Sequence, residues 1–207
     1  NQLVSNVDIA PTSLTMAGLD VPNHIQGINF LSNSRDHVFT MRDRMDGTTD
    51  RMRAVRTDSF KYIRNYYPHL PYTQFNAYKR TSYPVLTLMR VMNQQGLLSD
   101  EQALFMAAQK PAEELYDLLN DPYELNNLAD DDENEVSLEK MRQTLDQDLK
   151  DYDLANYPED SLRIEEAYRV MLSNYISRME MMGMDTTASD EELLRYWEKY
   201  LGLVESL

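Results

Sequence analysis

The chain has 207 residues, 35 Asp/Glu against 20 Lys/Arg for a net charge of −15, and no cysteine, which excludes a disulfide framework and thiolate metal sites. No apolar run reaches the roughly 18 residues a membrane-spanning helix needs. Charge is uneven: residues 1–80 hold 10 Lys/Arg and 7 Asp/Glu (+3), residues 81–207 hold 10 and 28 (−18), so a mildly basic front suits an anionic ligand while the acidic back argues against nucleic acid and anionic membranes.

The chain starts at Asn1 inside a strand-like run, which reads as a piece of a longer protein. Asp8 has the chemistry of an N-cap, Pro11 falls in a first turn and Gly18 stops the run, so a short helix is predicted there. Residues 21–34, with Pro22, Gly27 and three Asn, read as loop. His37–Arg42 has the β-branched and aromatic content of a strand. Asp46-Gly47 signals a turn. Met52–Thr57 alternates, with Met52, Ala54 and Val55 as inward candidates. Asp58-Ser59 turns again, and Phe60–Arg64 is a third strand. Strands this short, joined by tight turns, must be antiparallel neighbours.

Pro68, Pro71 and Pro84 punctuate an irregular aromatic stretch. A helix is predicted from Pro84 to Gln95, ended by Gly96, and another from a Ser99 cap to about Gln109. Glu114–Leu118 is a fourth strand. Ser137–Asp151 sets Leu138, Met141, Leu145 and Leu149 on one helical face. The same period runs through Ile164, Tyr168, Met171, Tyr175 and Met179. Ser189 then caps a last helix carrying Leu193, Leu194, Trp197 and Leu201. A Met and aromatic stripe of this kind is a packing surface, for the same chain or for a second copy in a homo-oligomer. The fold class is α+β: a small antiparallel sheet of about four strands packed with helices, followed by a helical tail.

The sequence offers little metal chemistry. Asp130-Asp131-Asp132-Glu133 lacks the glycine turn and spacing of a calcium loop and reads as a solvated turn before a helix. His24, His37 and His69 do not pair at i, i+4, which excludes a metalloprotease-type helix site. Cationic groups are the stronger signal. Arg42 and Arg44, with His37, lie at the end of a predicted strand, and Arg51, Arg53 and Arg56 follow on the next. Guanidinium forks match sulfate and carboxylate oxygens two at a time. The competing reading pairs these arginines with Asp43, Asp46, Asp50 and Asp58. His69 sits among Tyr66, Tyr67 and Tyr72, a loop composition suited to sugar contact or to packing.

Six blocks carry a family resemblance. They are Val7–Thr12 with Ala17-Gly18-Leu19 and Gln26-Gly27, Arg42–Asp46, Arg51–Asp58, Phe60–Asn65, Pro111–Leu118 and Asp121–Leu128. In that order and spacing, over roughly residues 4–160, they resemble the C-terminal part of a type I, formylglycine-dependent sulfatase. The resemblance implies that residues 1–34 end the large alkaline-phosphatase-like α/β domain, that 35–160 form its C-terminal sheet-plus-helix subdomain, and that 161–207 are a helical tail. It implies a sulfuric ester hydrolase acting on a sulfated polysaccharide or oligosaccharide, periplasmic or secreted. The formylglycine and Ca²⁺ would lie in the missing N-terminal portion, the natural partner of this chain. Ser82-Tyr83-Pro84-Val85-Leu86 echoes the modification motif but has Leu86 where arginine is required, so no catalytic or metal-binding residue is expected here, and the chain alone is expected to be inactive. Arg42, Arg44, His37 and His69 are the candidate substrate-binding residues. The alternatives are a phosphodiesterase or phosphonate hydrolase of the same superfamily, or a non-catalytic acidic binding module.

Overall fold

A computed structural model describes residues 2–153 and 160–204. After a 3-10 turn at Asn6–Asp8 the chain forms α1 (Ile9–Met16), β1 (Val38–Met45), β2 (Thr48–Arg56), β3 (Phe60–Asn65), α2 (Ala77–Ser82), α3 (Pro84–Gln94), α4 (Asp100–Phe105), β4 (Glu113–Asp117), a 3-10 turn at Asp132–Asn134, α5 (Glu135–Tyr152), α6 (Ser161–Met181) and α7 (Asp190–Tyr200). The four strands form one sheet in the order β1-β2-β3-β4. β3 and β4 are antiparallel, from Phe60 opposite Asp117 to Arg64 opposite Glu113. The predicted α+β class and the four strands are therefore present.

The chain divides into two compact units, Asn1–Met41, Met52–Arg64 and Glu113–Leu154 against Arg42–Arg51, Asn65–Ala112 and Ala155–Leu207. In the first, Val55, Tyr62 and Leu115 meet Leu138, Met141 and Leu145, so the apolar face of α5 covers the sheet as its period foretold. The turn between β2 and β3 is stapled by Thr57, whose hydroxyl oxygen accepts from the Phe60 N–H at 2.9 Å. In the second, Met171, Tyr175 and Met179 of α6 pack with Ala77 of α2. Leu193 and Trp197 of α7 are buried as well. The Met and Tyr stripe of the tail is thus core of this chain.

Local readings that differ do so for physical reasons. Asp8 stands at the N-cap position of α1 as predicted, but its side chain makes no capping hydrogen bond there. Its carboxylate, wholly buried, accepts instead from the backbone N–H of Ser5 and Ile28, both at 2.9 Å, and from Arg35. Gly27 is required beside it: a Cβ there would fall 1.9 Å from the Val7 carbonyl oxygen. Helix α4 keeps its Ser99/Gln102 capping box but ends at Phe105 rather than near Gln109. The residues beyond carry the chain to Lys110, whose N–H donates to the Pro68 carbonyl. Helix α2 is an addition to the predicted elements; Asn76 caps it, accepting from the Lys79 N–H at 3.0 Å.

Candidate functional site

A sizeable concavity lies in each unit. In the first unit a cleft of about 570 Å³ opens between the residues leading into β1 and the last turns of α5. Arg35 forks Asp8 from its rim, with Nε 2.7 Å from Oδ2. That hydrogen bond, helped by the Ile28 and Ser5 amides and opposed by burial, holds the Asp8 carboxyl down at about 2. His37 Nε2 lies 3.0 Å from Asp148 Oδ2, so a carboxylate on α5 fixes the imidazole. Phe39 stacks on Tyr152 at 6.2 Å between ring centroids. The cleft offers an anchored histidine and an aromatic wall, and the Arg35 fork is engaged by Asp8.

In the second unit a pocket of about 570 Å³ lies where the β1–β2 turn meets α2 and α6. The turn supplies Arg44 and Asp46, α2 supplies Tyr78, and α6 supplies Met171, Asn174 and Arg178. The close approach depends on Gly47, where a Cβ would lie 2.7 Å from Tyr168 Cα. Asp46, at φ 52°, is the turn residue in the left-handed region. Its carbonyl accepts from Arg44 and its carboxylate from the Asn76 amide at 3.3 Å. The Arg178 guanidinium stands 5.2 Å from the centre of the Tyr78 ring and donates to Ser82 Oγ at 3.3 Å.

The predicted site residues are therefore distributed. His37 falls in the first unit, and Arg42, Arg44 and His69 in the second. Arg42 and Arg44 are two apart on β1 and share a face; Arg42 is half-buried and Arg44 exposed. His69 is exposed on its loop, with its ring edge-on to Tyr67 at 6.0 Å. The β2 arginines differ from one another in their surroundings. Arg53 has no exposed surface and forks Asp153, a hundred residues away, with Nε 2.9 Å from Oδ2. It belongs to no outer cationic face. Asp50 goes to Lys110, Nζ to Oδ2 2.7 Å, in a pair closed to solvent. Arg51 sits over the Tyr66 ring at 4.5 Å. Arg56 is exposed.

Asn174 and Arg178 escaped the sequence reading, because an i, i+4 pair on the polar side of an amphipathic helix looks like a solvated face. Among the described residues no group of three or more His, Asp or Glu side chains is placed to hold a metal ion. Asp131 caps its 3-10 turn, accepting from the Glu133 N–H at 3.1 Å. Ser82 ends α2 and Pro84 opens α3, so the motif-like stretch is a helix junction. Among the described residues no helix is long and apolar enough to cross a membrane.

No protein-family profile matches the chain. It is 39% identical over 166 residues to an ulvan-active sulfatase of Formosa agariphila, a match covering 78% of this chain and 28% of that protein. A second ulvan-active sulfatase of that organism is 28% identical over 151 residues, covering 68% of this chain and 28% of the relative. The chain thus spans little more than a quarter of the length of these curated relatives. A solved structure of a 2-O GAG sulfatase superposes with a TM-score of 0.45 at 22% identity, over 79% of this chain and 26% of the other.

Proposed function

We propose that this chain, which is a C-terminal portion of a sulfatase, lines the substrate cleft of the full-length enzyme and positions a sulfated polysaccharide or oligosaccharide there. The observation that carries this is the placement of Arg42 and Arg44 on one face of β1, with Arg44 exposed at the turn. A guanidinium fork binds a sulfate or carboxylate group in a fixed orientation, which suits positioning. His37, braced by Asp148, and His69, exposed on its loop, are proposed as further substrate contacts. The sequence match to ulvan-active sulfatases supports a polysaccharide substrate class.

In this reading the nucleophile and the metal belong to the remaining portion of the enzyme: a formylglycine made upstream and a Ca²⁺ bound there. This chain's residues bind and orient the sugar and exclude water from it. Several large apolar side chains in residues 4–41 are exposed, Val7, Ile9, Met16, Leu19 and Met41 each by more than half. They supply a docking face for that upstream portion. Export to the periplasm or beyond the cell fits a polymeric substrate.

The test compares Arg42→Ala and Arg44→Ala in the full-length enzyme on a natural oligosaccharide and on a small aryl sulfate. Losing one charge-assisted fork costs about 1.5–3 kcal/mol, or about ten- to a hundredfold in kcat/KM on the oligosaccharide. The aryl sulfate, which has no sugar to position, should be spared. Wild-type rates on both substrates for both variants would remove these arginines from the site.

A further inference from the structure

We infer that the pocket between the β1–β2 turn, α2 and α6 is a second saccharide-binding subsite, built for a sugar that carries an oxyanion. The inference rests on the sulfatase reading above and adds to it a place on the tail that engages the substrate away from the scissile ester. Arg178 is the main observation. In a chain of net charge −15, four other arginines end on carboxylates: Arg35 on Asp8, Arg53 on Asp153, Arg80 on Asp190 and Arg142 on Glu113. Arg178 pairs with no carboxylate among the described residues. It is held in place by a tyrosine face and a serine hydroxyl, which fix its plane without neutralising it.

The other lining groups complement an acidic sugar. Asn174, one turn before Arg178 and on the same face of α6, presents both a donor and an acceptor to ring hydroxyls. The Asp46 carboxylate accepts from hydroxyl donors. Tyr78 is half exposed and T-packed on the equally exposed Tyr83 at 5.6 Å, a braced aromatic surface on which an apolar sugar face can lie. Met171 and Ala77, both buried, close the floor. Arg178 brings to the pocket a guanidinium that no carboxylate of the described residues neutralises. Its volume of about 570 Å³ is that of a small-molecule site. The oxyanion can be a sulfate ester or a uronate, since the fork reads the oxygen pair common to both.

The test uses the full-length enzyme and oligosaccharides prepared from ulvan in three forms: intact, desulfated and carboxyl-reduced. Binding is measured by calorimetry, and kcat and KM are measured on the intact form and on an aryl sulfate. Arg178→Ala and Asn174→Ala should each weaken binding of the intact oligosaccharide, Arg178→Ala by about tenfold to a hundredfold. The loss should appear in KM, with aryl sulfate turnover and melting temperature unchanged. Arg178→Lys should recover only part of the loss, and Ser82→Ala, which keeps the charge but removes one brace of the guanidinium, should weaken binding less than Arg178→Ala does. If desulfation reproduces the Arg178→Ala loss in wild type, the anion is the sulfate; if carboxyl reduction does, it is the uronate. Should Arg178→Ala lower the melting temperature, exposed Asn174→Ala decides alone. Equal binding by wild type and the variants overturns the pocket and leaves the proposed function standing. A wild type that binds none of the three forms overturns both.

Discussion

Removing the lysine of the buried Lys110–Asp50 pair should be among the most damaging single changes to the second unit. Lys110 Nζ is 2.7 Å from Asp50 Oδ2, and the two side chains are 0% and 1% exposed. The other Asp50 oxygen, Oδ1, has no hydrogen-bond partner among the described residues, so the carboxylate depends on this one ammonium. The pair itself adds little net stability, because desolvating both ions offsets most of their attraction. Breaking it is another matter. Lys110→Met leaves a carboxylate buried without a counter-charge, at a cost of about 3–5 kcal/mol. Lys110→Met combined with Asp50→Asn removes both charges and should regain most of that, leaving a deficit of about 1–2 kcal/mol for a half-satisfied amide. Urea unfolding of the 207-residue chain, followed by fluorescence of Trp197, its one tryptophan and a buried member of the same unit, reads the difference. If Lys110→Met costs less than about 1 kcal/mol, or if the two substitutions simply add, the pair is not coupled as the geometry requires.

Two further outcomes follow from the same reasoning. Asp8, held down to about 2 from 3.8 by Arg35, contributes stability that is fully present above about pH 4 and is lost as pH falls through about 2, roughly 2 kcal/mol in all; Arg35→Ala should flatten the acid limb of an unfolding-versus-pH curve for the first unit, and an unchanged limb would refute the assignment. Gly47→Ala should cost about 1–3 kcal/mol, because its Cβ would meet Tyr168 Cα at 2.7 Å and the Ala167 carbonyl at 3.1 Å, and backbone cannot step aside as a flexible side chain can; thermal melting should show the loss, and a neutral result would mean that the turn is not seated on α6.

Local chemistry was legible where it acts alone. The Ser99 and Ser189 capping boxes, the Asp46-Gly47 turn and the apolar faces of α5 and α6 are each written in a few adjacent residues, and each lies where its pattern predicts. Even there the roles shift: Asp46 takes the left-handed conformation and Gly47 provides room for α6, although glycine is the expected bearer of positive φ. The order β1-β2-β3 followed from short turns, whereas the place of β4 beside β3 did not, because residues 66–112 with three helices lie between them.

Ion pairing was not legible, and the reason bears on the site. A list of charges along a strand suggests pairing with the nearest acids, and Asp43, Asp46, Asp50 and Asp58 flank Arg51, Arg53 and Arg56. Water screens exposed neighbours and makes such pairs weak, so proximity in sequence carries little energy. A guanidinium taken largely out of water cannot remain unpaired, and the acid that answers it is chosen by the fold: Asp153 for Arg53, Asp190 for Arg80. Burial nevertheless pushes Asp190 up, and only the Arg80 and Arg90 guanidiniums together bring it below the ordinary carboxylate value. Most core arginines are thereby accounted for by structure alone. Arg178, ordered by Tyr78 and Ser82 and paired with no acid among the described residues, is not. In a chain with this excess of carboxylates, a neutral cradle around a guanidinium preserves the positive charge for an anion from outside.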